Sequence, residues 1–304
     1  YAYDCNTREQ APYWGDGIWI VESVGHMTGD FSHMRHLCYA ATEEVNFYGP
    51  FVGGSIYGLG APLFDYCLVP PECLARYYRF TGDLKTVRDN IETARTICDA
   101  FRDCRNDEGL VLLERIPDVG NEFRKGFLFL DHPGNGWHPQ TTTGVDRRDI
   151  NAGMNLFYLQ ALQAMAGLER ALGNPVDAIE SEIANLKQAI LDTCWVPREG
   201  LVADAAGPTV KATRFSQITN AMAVITGLLE SPKDRQALLR VLDIARNPWV
   251  SQGTPYTYFF LAEAAARARC ADDAVRAFNR DFRDMLQRGA TTTWEAWRAE
   301  NHDS

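Results

Sequence analysis

No stretch of this 304-residue chain approaches the ~20 consecutive apolar residues that a membrane-spanning helix needs. It also has no excess of positive charge. Lys and Arg number 30 against 40 Asp and Glu, giving a formal charge of −10, so the basic stripe that binds phosphates is missing and nucleic acid is excluded as a partner. There is no Cys-x-x-Cys pair among the eight scattered cysteines (Cys5, Cys38, Cys67, Cys73, Cys98, Cys104, Cys194, Cys270), which argues against a structural zinc site. Cys98 and Cys194 fall at apolar positions of helical patterns, where a buried free thiol is expected. The chain lacks a Gly-x-Ser-x-Gly elbow, a phosphate-binding loop and a dinucleotide fingerprint. It has no secretory leader and begins at Tyr1 rather than Met, so it reads as a single domain over residues 1–304 cut from a longer polypeptide. Its location is therefore left open.

What is present is helical periodicity over most of the length. Leu84, Val87, Ile91, Ala94, Cys98 and Phe101 share one face, and Val176, Ile179, Ile183, Leu186, Ile190 and Cys194 share another at nearly the same steps. Each run follows a turn (Thr81-Gly82-Asp83; Leu172-Gly173-Asn174-Pro175) and leaves through an acidic-Gly-Leu exit (Glu108-Gly109-Leu110; Glu199-Gly200-Leu201). This self-similarity predicts a repeated helical hairpin. Asn174 and Ser231, each before a proline, are expected to be N-caps.

Ten helices are predicted: 15–28, 31–44, 64–80, 83–104, 150–172, 175–195, 215–229, 232–245, 255–270 and 271–287, with Pro70-Pro71 kinking the third or misplacing its start. No strand-like stretch of any length is visible. Hairpins joined by long aromatic and acidic loops predict an all-α toroid; an open peptide-binding solenoid would carry short, regular loops.

The chemistry concentrates at the two ends. Asp4 to Asp16 holds three carboxylates, Arg8, Tyr13 and Trp14, broken by Pro12 and Gly15. A loop of acids and rings suits a sugar, because carboxylates transfer protons and steady a cationic transition state while rings stack on the apolar face of a pyranose. The other reading is a surface loop with a salt bridge. At the far end, Trp294 and Trp297 flank Glu295 beside a threonine run unsuited to a helix interior, so they read as a site wall. Trp14, Trp19 and Trp137 could stack on a sugar or fill the core, and Asp131 with His132 could contact hydroxyls. His33 and His36, spaced i, i+3, are better read as a solvated face than a metal site. Asp146-Arg147-Arg148-Asp149 reads as a solvated, salt-bridged turn.

Asp4-Cys5-x-x-Arg8-Glu9…Gly15-Asp16 and Gly289-Ala290-Thr291-Thr292-x-Trp294-Glu295-x-Trp297 resemble the two active-site signatures of the α-L-rhamnosidases, glycoside hydrolase family 78. Weaker matches lie at Leu63-Phe64-Asp65-Tyr66, Phe129-Leu130-Asp131, Ser216-Gln217 and Gly253-Thr254-Pro255-Tyr256. Asn6 stands where the family usually has proline. The resemblance implies an (α/α)6 barrel of twelve helices, with the first and last missing from this stretch and β-domains flanking it.

It further implies exo-acting, inverting hydrolysis of terminal rhamnose from glycosides or oligosaccharides without cofactor or metal, Glu9 being the general acid and Glu295 the general base. Asp4, Arg8 and Asp16 would grip the sugar hydroxyls. The carboxylates of Asp4 and Asp16 would help keep Glu9 protonated. Alternatives are the same reaction on another terminal sugar, or a sugar-binding barrel that hydrolyses nothing.

Overall fold

The computed structural model describes residues 13–51, 62–117, 126–131, 145–230, 232–294 and 297. Glu9, Asp4, Arg8, Trp137, His132, Glu295, Cys5 and Ser231 lie outside the described residues. Among those described there are eleven α-helices: α1 (Trp14–Thr28), α2 (Ser32–Tyr48), α3 (Val69–Thr81), α4 (Leu84–Asp103), α5 (Ala152–Leu172), α6 (Asp177–Cys194), α7 (Gln217–Ile225), α8 (Lys233–Leu242), α9 (Thr257–Arg267), α10 (Ala271–Asp281) and α11 (Arg283–Gln287). The extra helix arises because the last predicted one breaks at Phe282.

The expectation of no strands is corrected by six two-residue strands. β1 (Ile150–Asn151) pairs antiparallel with β4 (Ala205–Ala206), β2 (Trp195–Val196) pairs antiparallel with β3 (Leu201–Val202), and β5 (Phe215–Ser216) pairs parallel with β6 (Val250–Ser251). Such pieces are too short for sequence alternation to reveal them. The all-α class stands.

Pro70 and Pro71 sit in the first turn of α3, where a missing N–H costs nothing, so the helix starts later than predicted and need not kink. The repeated hairpin has a backbone basis. Gly82 and Gly173, the turn glycines, and Gly109 and Gly200, the exit glycines, all take positive φ (69°, 80°, 86° and 62°). That is the left-handed region which side chains disfavour. Asp83 caps α4 by accepting from the Thr86 N–H. Asn174 does not cap α6: its amide donates to Glu169 at 2.6 Å and the helix begins at Asp177.

The chain divides into two compact units, Tyr1–Phe129 with Phe157–Ala189, and Leu130–Leu156 with Ile190–Ser304. In the first, α2 packs on α1, α3 and α4 around Ile18, Met34, Val87, Ile97, Cys98 and Phe101, each at most 1% exposed. Arg76, 4% exposed, donates to Glu72 at 2.6 Å and to Glu22 at 3.2 Å and lies over the ring of Trp19, which is a core residue. Glu182 gathers Arg102, Arg105 and the Tyr158 hydroxyl.

In the second unit, α7 packs against α8 and α9, and every one of its nine residues is buried. Its polar members are paired: Asn220 exchanges hydrogen bonds with the Val202 backbone, and Gln217 donates to Val241 O. All seven described cysteines are buried. None of the described helices is long and apolar enough to cross a membrane.

Removing Arg76 would take a buried cation away from two buried carboxylates. Arg76→Ala is expected to lose about 3–5 kcal/mol of stability, whereas Lys85→Ala, which breaks an exposed pair with Asp89, is expected to lose under about 1 kcal/mol. Urea unfolding of the two variants measures both.

Candidate active site

In the first unit, the start of α1 carries the described part of the acidic loop. Trp14 is only 2% exposed, and its indole N–H donates to Glu44 Oε2 on α2. The ring that could have stacked on a sugar is thus packed in the interior. Burial pushes the Glu44 carboxyl up to about 7, against the opposing pull of the Trp14 hydrogen bond. The hollow beside this pair holds about 10 Å³, room for roughly one water and far too little for a sugar. A larger hollow of about 470 Å³, lined by Arg35, His36, Tyr39, Asp83 and Lys85, contains none of the candidate sugar-site residues. His33 and His36 are exposed, as a solvated face requires.

One residue on, a Cβ at Gly15 would lie 2.2 Å from the Tyr66 ring, so glycine is what lets α1 approach that tyrosine. Tyr66 Oη in turn donates to Asp16 Oδ2 at 3.1 Å. Asp16 is half-buried in the first turn of α1, where the helix dipole favours a negative charge. Tyr66 is itself fixed. The Leu63–Tyr66 segment bonds along Phe127 (Phe64 N to Phe127 O, 3.0 Å), Asp65 accepts the Phe129 N–H at 2.8 Å, and the Tyr66 and Phe129 rings meet edge-on at 5.3 Å. The weak Leu63–Tyr66 motif is therefore a support for Asp16.

In the second unit, Asp131 is 2% exposed, and its carboxylate accepts from Thr254 N at 2.8 Å, Thr254 Oγ1 at 2.5 Å and the Thr257 hydroxyl. Arg147 donates to its main-chain oxygen at 2.6 Å. Burial pushes this carboxyl up to about 6 despite the threonines. Asp204, also fully buried, accepts from Ser216 Oγ at 2.6 Å and is pushed up to about 6 in the same way. The 146–149 turn is salt-bridged and exposes Arg148 as expected, but Asp146 faces inward rather than to solvent. Asp146 is 5% exposed and bound to Arg148, and its N–H faces Asp204. The turn folds inward because it supplies partners to the buried start of α5, where Asn151 donates to Asp146 O.

Trp294 is half-buried. Trp297 is held between Tyr258 and Phe282, at 5.0 Å from each, and donates to Gly253 O at 2.6 Å. Sequence reasoning assigned no role to Glu44, Thr254 or Thr257. Glu44 had a signal, since it continues the Leu37–Ala41 apolar stripe of α2 and must be buried there. Thr254 lay in the Gly253–Tyr256 motif, and Thr257 had no signal. Among the described residues no cluster of His, Cys, Asp and Glu could hold a metal ion.

A mainly helical hairpin domain with aromatic- and acid-bearing segments at both ends is the architecture of a helical-barrel glycosidase. The chain belongs to the bacterial alpha-L-rhamnosidase 6 hairpin glycosidase domain family, whose model matches residues 1–304. Solved structures similar in fold include the GH78 family rhamnosidase of Bacillus sp. GL1, at TM-score 0.77 and 17% identity over 96% of this chain and 29% of that one. A rhamnosidase from Klebsiella oxytoca with rhamnose bound matches at 0.68 and 18%, over 98% of this chain and 54% of that one. The Streptomyces avermitilis alpha-L-rhamnosidase complexed with L-rhamnose matches at 0.60 and 15%, over 96% and 26%. The chain thus spans between a quarter and just over half of those proteins. No curated protein sequence matches it.

Because the folded Asp131 binds its proton more tightly than the ordinary value near 3.8, its contribution to stability is greatest below that value and falls as pH rises towards about 6. Asp131→Asn removes this titration. The Asn can still accept the Thr254 N–H, and the Thr254 hydroxyl can turn to accept from its amide. The stability of Asp131→Asn relative to wild type is expected to rise between pH 4 and pH 6, and urea midpoints across that range measure it. Asp131→Ala leaves the Thr254 N–H unpaired and is expected to cost on the order of 2–4 kcal/mol at pH 4.

Proposed function

We propose that the protein hydrolyses terminal α-L-rhamnosyl residues from glycosides or oligosaccharides, with inversion at the anomeric carbon. Glu9 protonates the departing oxygen and Glu295 draws a proton from the attacking water. That reaction needs one carboxylic acid and one carboxylate roughly 6.5–9.5 Å apart, so that a water fits on the face opposite the leaving group. Asp4, Arg8 and Asp16 bind the hydroxyls and offset the positive charge of the transition state, while Trp137 and Trp294 offer apolar surface to the ring. The chemistry requires no metal or cofactor.

The observation that carries this reading is the family match along the whole chain, which includes both acid-bearing end segments. The bound rhamnose of the Klebsiella and Streptomyces structures supports the choice of sugar. The environment of Asp16 supports its role. A carboxylate in the first turn of α1 is favoured by the helix dipole and oriented by the hydrogen bond from Tyr66. Such a group can accept from sugar hydroxyls and face a developing oxocarbenium ion.

The test is release of L-rhamnose from aryl α-L-rhamnosides. Wild type is expected to turn over, and Glu9→Gln and Glu295→Gln are each expected to lose about 10²–10⁴-fold in kcat. Turnover of another sugar's aryl glycoside with no rhamnoside cleavage would refute the substrate, and full activity in either variant would refute the roles.

A further inference from the structure

Three short motifs have no part in the acid–base chemistry: Ser216-Gln217, Leu130-Asp131 and Gly253-Thr254-Pro255-Tyr256. In the structure they converge on one turn. The parallel pairing of β5 with β6 sets Ser216 beside Ser251. Directly after β6, Gly253 N donates to Gln217 Oε1 at 2.9 Å, so the amide of a fully buried glutamine fixes one side of the turn. Thr254 and Thr257 close the other side on the carboxylate of Asp131. Gly253 has no room for a side chain, since a Cβ there would lie 2.3 Å from Thr257 Cβ. The turn is therefore held by partners from two separate parts of the chain and cannot shift without breaking buried hydrogen bonds.

The carbonyl of this turn faces the terminal segment: Gly253 O accepts the Trp297 indole N–H at 2.6 Å. The Trp297 ring is gripped edge-on by Tyr258 (68°) and Phe282 (76°). Tyr258 is itself anchored, donating to Asp281 Oδ2 at 2.5 Å and accepting from Gln252 Nε2 at 3.1 Å. An indole enclosed by two rings and tethered through its one polar atom has a single orientation. Trp297 stands two residues after Glu295.

We infer that Trp297 is a positioning residue for the general base. Its hydrogen bond ties residue 297 to the 253–257 turn, two residues along the chain from Glu295. The inference rests on the assignment of Glu295 as the base. A base that must hold one water in line with the anomeric carbon loses rate steeply when displaced, because a misplacement of about 1 Å can cost ~10²-fold.

The test is Trp297→Phe, which keeps a ring between Tyr258 and Phe282 and removes only the N–H. For aryl α-L-rhamnosides kcat is expected to fall about 10- to 100-fold, with KM within about twofold and the melting temperature held. The acidic limb of the kcat/KM profile, which reports ionisation of the base, is expected to move. Backbone amides of residues 291–294 and 297 are expected to exchange faster with deuterium. Wild-type kcat with an unshifted acidic limb overturns the inference. So does a loss of kcat that tracks the folded fraction while the limb and KM stay fixed, for that is a structural role. If the wild-type protein cleaves no rhamnoside, the functional reading fails and hydrogen exchange decides alone: unchanged exchange in Trp297→Phe refutes the anchoring.

Discussion

A buried carboxylate satisfied by hydroxyls and a backbone amide is the constraint on which the second unit depends. Asp131 takes its hydrogen bonds from Thr254 and Thr257, and removing such a group from water is affordable only when its lone pairs are occupied. The bonds run from residue 131 to residues more than 120 positions later. They therefore fix Asp131 onto the turn before α9, and the same turn takes Gln217 and Trp297. Breaking one member exposes the others, which makes the arrangement rigid rather than merely stable.

The first unit solves a comparable problem at the start of α1. Glycine at position 15 admits the Tyr66 ring, Tyr66 reaches Asp16, and Glu44 takes the Trp14 indole. A helix start is otherwise prone to fray. Here side chains from α2 and from the turn before α3 hold it, and it follows directly on the acidic segment. In both units a signature residue is fixed by a hydrogen bond from outside its own motif.

How much of this was legible in the sequence follows from the range of the forces involved. Helices and their turns rest on local signals, and periodicity with glycines at 82, 109, 173 and 200 located them to within a few residues. The start of α3 was misread because a proline pair can sit in a first turn as readily as it can break a helix. The β1–β4 and β5–β6 pairings and the inward fold of Asp146 depend on distant partners, which no local pattern encodes. Asn174 is drawn from its capping role by Glu169, five residues earlier. Of the candidate site, the acids at the two ends were visible as motifs. The burial of Glu44 was legible in the stripe of α2. Its bond to Trp14 and the bonds of Thr254 and Thr257 to Asp131 were not, because those contacts are made only on folding. The resemblance to α-L-rhamnosidases rested on residues at both ends, and the family match over the full length agrees with it.

A two-carboxylate reaction in which water attacks the face opposite the leaving group has one signature that neither rate nor binding can imitate, namely the configuration of the sugar at the moment of release. Proton NMR of an aryl α-L-rhamnoside, recorded in the first minutes after the protein is added, reads it directly. The account predicts that β-L-rhamnose appears first and then relaxes to the equilibrium mixture of anomers. Initial release of α-L-rhamnose would contradict it.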